Sequence, residues 1–335
     1  MTSDQTRRRF ISVVGAAGIT GLAGCSGGGD AGDEGSETEA AESTEADSGN
    51  ENTRLSWHAG GTGGTYFPLS NEFKTVVEDN TDFSLNVQST GASVENVGSL
   101  TDGSADFALI QNDIAFFAKN GTGIDAFDGN PIENLRGVAT LYPETITVVT
   151  LADSNISTLS DLSGKTINTG DLGSGTQVNA NQILEAVGIT EFTEQNAGFS
   201  QASEQLANGD IDAAFVVGGW PVGAIEDLAT TNDVQIVPIQ GENRQTVKGA
   251  ASWFADDTIP AGTYNGVDEA TETIAVQAMI ATRAGLDAGT VETVTAALFE
   301  NVDALTIKTE FISTGSAQDG MSIELHEGAT AFFEN

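Results

Sequence analysis

One order of elements occurs twice along this chain, and few folds can accommodate such a duplication. Leu55-Ser56-Trp57-His58-Ala59 reads as a short strand entering Gly60-Gly61-Thr62-Gly63-Gly64-Thr65, and a helical pattern follows with Phe67, Phe73, Val76 and Val77 on one face. Phe83, Leu85 and Val87 alternate as a strand, Val94, Val97 and Leu100 mark a short helix ending near Gly103, and Phe107 to Ile110 is a buried strand. Downstream, Lys165 to Asn168 enters Gly170-Asp171-Leu172-Gly173-Ser174-Gly175-Thr176, and a helix extends to about Val187. Leu206 to Val216 then echoes Leu100 to Ile110, each with a Gly and then an Asp that opens a strand. Phe67, Phe73 and Phe116 are expected in the core. Asp106 and Asp212 are expected to bind backbone N–H groups. Two similar α/β lobes with mostly parallel sheets are the direct inference.

Two long β-rich runs, Leu141 to Ala152 and Thr273 to Thr282, suit hinge strands that pass between lobes. They make the first lobe discontinuous, 54–142 plus 273–335, with the second at 143–272. The last part reads as mainly helical, with Val291, Val294, Leu298 and Val302 on one face.

The ends and the charge balance restrict function. Residues 1–24 carry Arg7-Arg8-Arg9 and a short apolar stretch, then Leu22-Ala23-Gly24 before Cys25. This resembles a twin-arginine signal joined to a lipobox, which implies cleavage before Cys25 and a lipid on it as the membrane attachment. Residues 25–53 have the composition of an acidic, disordered tether. The whole chain holds 49 acidic against 12 basic residues, a net charge of −37, and the excess remains when the tether is set aside. Such a polyanion is no nucleic-acid partner. Its self-repulsion calls for screening by salt, and acidity combined with twin-arginine export resembles lipoproteins of extremely halophilic archaea. One Cys excludes a disulfide framework within the chain and a Cys-rich zinc site. The absence of a D-x-D-x-D-G loop argues against divalent-cation capture, and no cofactor is expected.

Both Gly-rich loops place backbone N–H groups and a helix N-terminus at the C-terminal ends of strands, where open α/β sheets bind ligands. Such N-termini hold anions. A tight turn and nothing more is the competing reading of each loop. Neither loop ends in Gly-Lys-Ser/Thr, and Gly61-Thr62-Gly63-Gly64 departs from G-x-G-x-x-G, so nucleotide phosphates are not indicated.

The run Gly60 to Leu69, Thr90-Gly91-Ala92-Ser93-Val94-Glu95-Asn96, Gln111-Asn112-Asp113 and Leu141-Tyr142-Pro143-Glu144 resembles the TAXI-type solute receptors of TRAP transporters. So do Gly173 to Thr176 with Asn179-Ala180, and Gly218-Gly219-Trp220-Pro221. The resemblance extends from Leu55 to about Leu305. It implies a two-lobed Venus-flytrap of the periplasmic-binding-protein type II class. It also implies capture of a small carboxylate, glutamate or glutamine in some members, and delivery to a sodium-driven membrane permease. By the same resemblance Gly63, Gly64, Thr65 and Tyr66 form the anion loop of the first lobe, with Ser93, Asn96 and Gln111 as polar partners. The second lobe contributes Ser174, Gly175, Thr176 and Asn179, and Tyr142 and Trp220 are aromatic walls. Backbone N–H, hydroxyl and amide groups suit carboxylate oxygens without Arg.

Each residue also has a plainer role open to it. Ser93 or Thr176 suits a helix N-cap, Tyr142 and Trp220 suit packing, and Arg136, the basic residue nearest these motifs, suits a structural ion pair. A hydrolase pairing Ser93 or Ser174 with His58 is the enzyme alternative, but no Gly-x-Ser-x-Gly elbow is present and His58 precedes the Gly loop on a buried strand. A surface sensor without transport is a third class.

Overall fold

The structure, a computed structural model, describes residues 53–334; the signal segment, Cys25 and the acidic stretch to Asn52 lie outside the described residues. The first copy of the duplicated order becomes β1 (Thr53–His58), α1 (Tyr66–Asn80), β2 (Phe83–Gln88), α2 (Ser93–Asp102), β3 (Phe107–Gln111) and α3 (Asn112–Asn120). Thr53, assigned by sequence to the tether, opens β1 opposite Phe83. Strand β4 (Leu135–Leu151) leads into β5 (Thr166–Asn168), α4 (Gly175–Ala186), β6 (Thr193–Gln195), α5 (Phe199–Asn208) and β7 (Ala213–Gly218). Then come α6 (Gly223–Thr231), β8 (Val234–Val237), α7 (Gly241–Ala250) and β9 (Ala255–Ile259). Strand β10 (Thr271–Arg283) returns to the first half, which α8 (Ala288–Glu300) and α9 (Glu327–Glu334) complete. Val302 falls in a short 3-10 turn after α8.

The strands form one path, β2-β1-β3-β10-β4-β7-β5-β6, with β8 on β4 and β9 on β10. β1 pairs parallel with β2 and β3, and β5 pairs parallel with β6 and β7. The duplication extends to single hydrogen bonds. Asp106 Oδ2 accepts from the amide of Ser56 at 2.9 Å, and Asp212 Oδ2 accepts from the amide of Thr166 at 2.7 Å. Each Asp thus ties the start of one strand to its parallel neighbour. The helix before each Asp ends on a glycine in the left-handed region, Gly103 (φ 82°) or Gly209 (φ 75°), which side chains disfavour.

The antiparallel pair β4–β10 runs through both halves. Along one edge β4 pairs with β10 from Leu135 to Thr145, and along the other Thr145 to Val149 pair with β7. Pro143, which has no N–H for the ladder, stands opposite Gln277 beside a shift of register.

Separate apolar cores fill the two halves. Trp57, Phe73 and Phe107 anchor the first, where Trp57 stacks on Phe107 at 5.5 Å and its Nε1 donates to Ser70 Oγ. Ile167, Ile183 and Phe215 anchor the second. Phe67 packs against the first core from a partly buried position, but Phe116 is 41% exposed. α3 turns Ile114, Ala115, Phe117 and Ala118 inward, and position 116 falls outside that stripe, against Trp253.

Candidate functional site

A cavity of about 560 Å³, part of it open to solvent, lies where α1, α2 and α4 begin. The first helical turn of α1 carries Pro68, tolerated there because first-turn amides have no intrahelical acceptor. Thr65, already helical at φ −84° and ψ −32°, and Tyr66 border the cavity. α4 is capped by Ser174, whose Oγ accepts from the Gln177 amide at 3.1 Å, so Gly175 and Thr176 form its first turn. The cap therefore belongs to Ser174 and not to Thr176. Ser93 likewise caps nothing, because it stands inside α2 after Ala92, and its Oγ accepts from the Gln111 amide at 3.1 Å. Helix N-termini each carry about half a positive charge, and those of α1 and α4 border this one cavity.

Four hydrogen bonds join the halves around it. The amides of Val94 and Glu95 donate to the Gly173 carbonyl at 3.1 and 3.3 Å, and the Ala224 amide donates to the Gly63 carbonyl at 3.1 Å. Thr65 Oγ1 donates to the Gly219 carbonyl at 3.1 Å. A Cβ on Gly175 would collide with the Gln111 side-chain amide, so a side chain at position 175 would have to displace that amide.

Of the residues singled out by sequence, Gly64, Thr65, Tyr66, Ser93 and Gln111 border the cavity from the first half, and Ser174, Gly175 and Thr176 from the second. The others stand behind this wall. Gly63 abuts Ser200 and Ala224. Asn96 is buried, donating to the carbonyls of Ala59 (2.6 Å) and Leu109 (2.8 Å), so it ties α2 to the ends of β1 and β3. Asn179 donates to Asp113 Oδ2 at 2.8 Å. Tyr142 is wholly buried beneath the cavity. Trp220 is covered by Lys308, whose ammonium lies 4.5 Å from its ring centroid and bonds to its carbonyl. Arg136 points to Glu324 at 3.7 Å, outside the cavity.

Sequence reasoning passed over Glu144 as a site residue. It is 3% exposed and borders the cavity, and its Oε2 accepts from the Tyr66 hydroxyl at 2.7 Å and its Oε1 from the Tyr142 hydroxyl at 3.4 Å. The Gln111 amide also donates to it. The available signal was a lone acid in a long strand of apolar residues and threonines, two residues from Tyr142 and hence on its face. Burial pushes the Glu144 carboxyl up to about 8 and nearby Asp113 adds to the rise, against the pull of its donors. Burial likewise raises Asp113 to about 6, and it holds Tyr66 and Tyr142 well above the usual phenol range. Among the described residues no Lys, Arg or His borders the cavity, and the acids that do are Glu144 and Asp171. His58 is buried beneath with both ring nitrogens unpartnered among the described residues.

Two duplicated α/β halves, joined by crossing strands and meeting around a polar cavity, define the two-lobed solute-binding-protein fold. The chain belongs to the NMT1-like family, whose sequence profile matches residues 58–335. Among solved structures it is similar to one described as a periplasmic transporter, at a TM-score of 0.53 and 11% identity, covering 84% of this chain and 94% of that one. A protein from Bordetella bronchiseptica RB50 matches at a TM-score of 0.52 and 15% identity, over 85% of this chain and 80% of that one. The substrate-binding protein of an amino acid ABC transporter matches at 0.44 and 15%, over 73% and 91%. Among the described residues no helix is long and apolar enough to cross a membrane.

Proposed function

We propose that this protein is an extracytoplasmic receptor that closes two lobes around one small carboxylate and delivers it to a TRAP-type membrane permease. The observation that carries the reading is the convergence of the α1 and α4 N-termini on one cavity that no basic side chain borders among the described residues. Backbone N–H groups and the hydroxyls of Ser93 and Thr176 supply donors from both lobes, and the Thr65 hydroxyl holds the Gly219 carbonyl of the other half, so the ligand favours the closed form. The TAXI-like motifs and the lipobox at Cys25 support transport coupling and a lipid-anchored position at the cell surface. The two serines considered for hydrolysis have their hydroxyls engaged with backbone groups, and His58 does not border the cavity. These contacts favour a receptor over an enzyme.

The test is thermal unfolding of the full chain in molar salt with glutamate, glutamine, succinate, 2-oxoglutarate, phosphate and sugars. A ligand that binds only the folded state raises the midpoint. A rise with one carboxylate, reduced in Thr65→Val and Thr176→Val by roughly 1 to 2 kcal/mol of binding energy, supports the reading. A rise only with a sugar or phosphate overturns it.

A further inference from the structure

A receptor for an anion should not have an unneutralised acid in its ligand cavity, yet Glu144 is there, buried. Its three donors, the hydroxyls of Tyr66 and Tyr142 and the Gln111 amide, are neutral groups. The titratable groups facing it are Tyr66 from α1, Tyr142 from its own strand and Asp113 from α3, and none of them supplies positive charge. From the neighbouring strand β10 it is opposed by Val276, and β7 is apolar throughout. Lys308 lies behind Tyr142, near Gly219, but its ammonium is engaged by the carbonyl and ring of Trp220. Asp171 borders the cavity from the loop before α4 and is itself an acid. Two anions side by side in a desolvated space repel strongly, so one of them must be neutralised.

A second observation comes from Gln111. Its Oε1 is buried without a hydrogen-bond partner and is wedged against Gly175, while its Nε2 faces Glu144. An orphaned buried acceptor is costly. A half-turn of the amide would bring Oε1 to an O–H on Glu144 and put Nε2 in its former place against Gly175, at the border of the cavity. Protonation of Glu144 thus gives Gln111 Oε1 a partner and replaces an acceptor by a donor at that border.

Resting on the carboxylate reading above, we propose that Glu144 is a proton site coupled to the ligand site, so that the cavity takes acids without an ammonium group, together with a proton. The balance is simple. Ionised Glu144, one proton from solvent and the ligand anion give a complex in which Glu144 is a neutral carboxylic acid and no other bond changes. Burial already favours that neutral form, pushing the carboxyl up to about 8, and an adjacent anion moves it further in the same direction.

Calorimetric titration of the full chain in molar salt, with succinate and 2-oxoglutarate in pairs of buffers of different ionisation enthalpy, counts the protons. With a free-state value of about 8, uptake is about half a proton per ligand at pH 8 and approaches one at pH 9. Affinity then falls about tenfold per pH unit in the alkaline range. Glu144→Gln, locked in the neutral form, shows no uptake and a flat pH profile; the proton count on the unmodified protein stands even if this variant does not fold. Binding of either acid without uptake at pH 8 overturns the proposal and leaves the receptor reading intact. Tighter binding of glutamate with proton release also overturns it, because the ligand ammonium would then neutralise Glu144. Failure of every carboxylate to bind overturns the receptor reading, and this proposal falls with it.

Discussion

Asn179 Nδ2 donates to Asp113 Oδ2 at 2.8 Å, so a residue in the second turn of α4 and one at the start of α3 are joined across the two lobes. Both side chains are buried, and Asp113 Oδ1 has no hydrogen-bond partner among the described residues. The bond fixes where α4 stands when the lobes are together, and therefore where its N-terminus points.

Removing one partner leaves the other buried without it. Asn179→Leu is expected to lower unfolding free energy by roughly 1 to 3 kcal/mol, read from denaturant midpoints in molar salt. Asp113→Asn, which keeps an acceptor oxygen toward Asn179, is expected to cost less. Equal losses in the two variants would contradict the assignment.

The two raised carboxyls make stability depend on pH with a definite sign. Glu144 moves from 4.5 to about 8 and Asp113 from 3.8 to about 6, so the folded state holds protons that the unfolded state has released. Their contribution is complete below about pH 4 and is lost as pH rises, through about 6 for Asp113 and about 8 for Glu144. The slope cannot exceed about 1.4 kcal/mol per pH unit for each group. Unfolding curves between pH 5 and 9 should flatten in Glu144→Gln up to about pH 8 and in Asp113→Asn up to about pH 6.

Gly175 is where α4 meets Gln111. Gly175→Ala adds a methyl group that collides with Oε1, so the lobes come together only with the Gln111 amide displaced from beside Glu144 and the cavity. At least a tenfold loss of ligand affinity is expected, with a larger radius of gyration by small-angle scattering and with ligand-free stability changed by less than about 1 kcal/mol. Unaltered affinity would mean that this contact does not form in the closed state.

With a net charge of −37, the chain should gain stability as salt screens its self-repulsion. The melting midpoint is expected to rise by several degrees between 0.1 M and 2 M potassium chloride. An equal rise with sucrose at matched osmotic strength would point to preferential exclusion in place of charge screening.

Much of this was legible along the chain because it depends on near neighbours. The spacing of Phe73, Val76 and Val77 sets the buried face of α1, Gly103 and Gly209 end their helices, and the echo of Leu100 to Ile110 in Leu206 to Val216 announces two like halves. Those features follow from helical and strand periods and from which residues tolerate a left-handed backbone. The charge balance, likewise a property of sequence alone, bears on partners and salt.

Which polar side chains face the ligand was settled only by the tertiary structure. Asn96, Asn179 and Ser93 are alike in sequence as short polar residues near helix starts, yet two of them bind backbone or Asp113 behind the wall while Ser93 borders the cavity. Glu144 reaches its site partner Tyr66 across 78 positions, and Asn179 reaches Asp113 across 66. Distances of that kind are fixed by how β4 and β10 cross between the lobes and by how closely α4 can approach β3. Those are packing constraints summed over the whole molecule, and no local period of the sequence carries them.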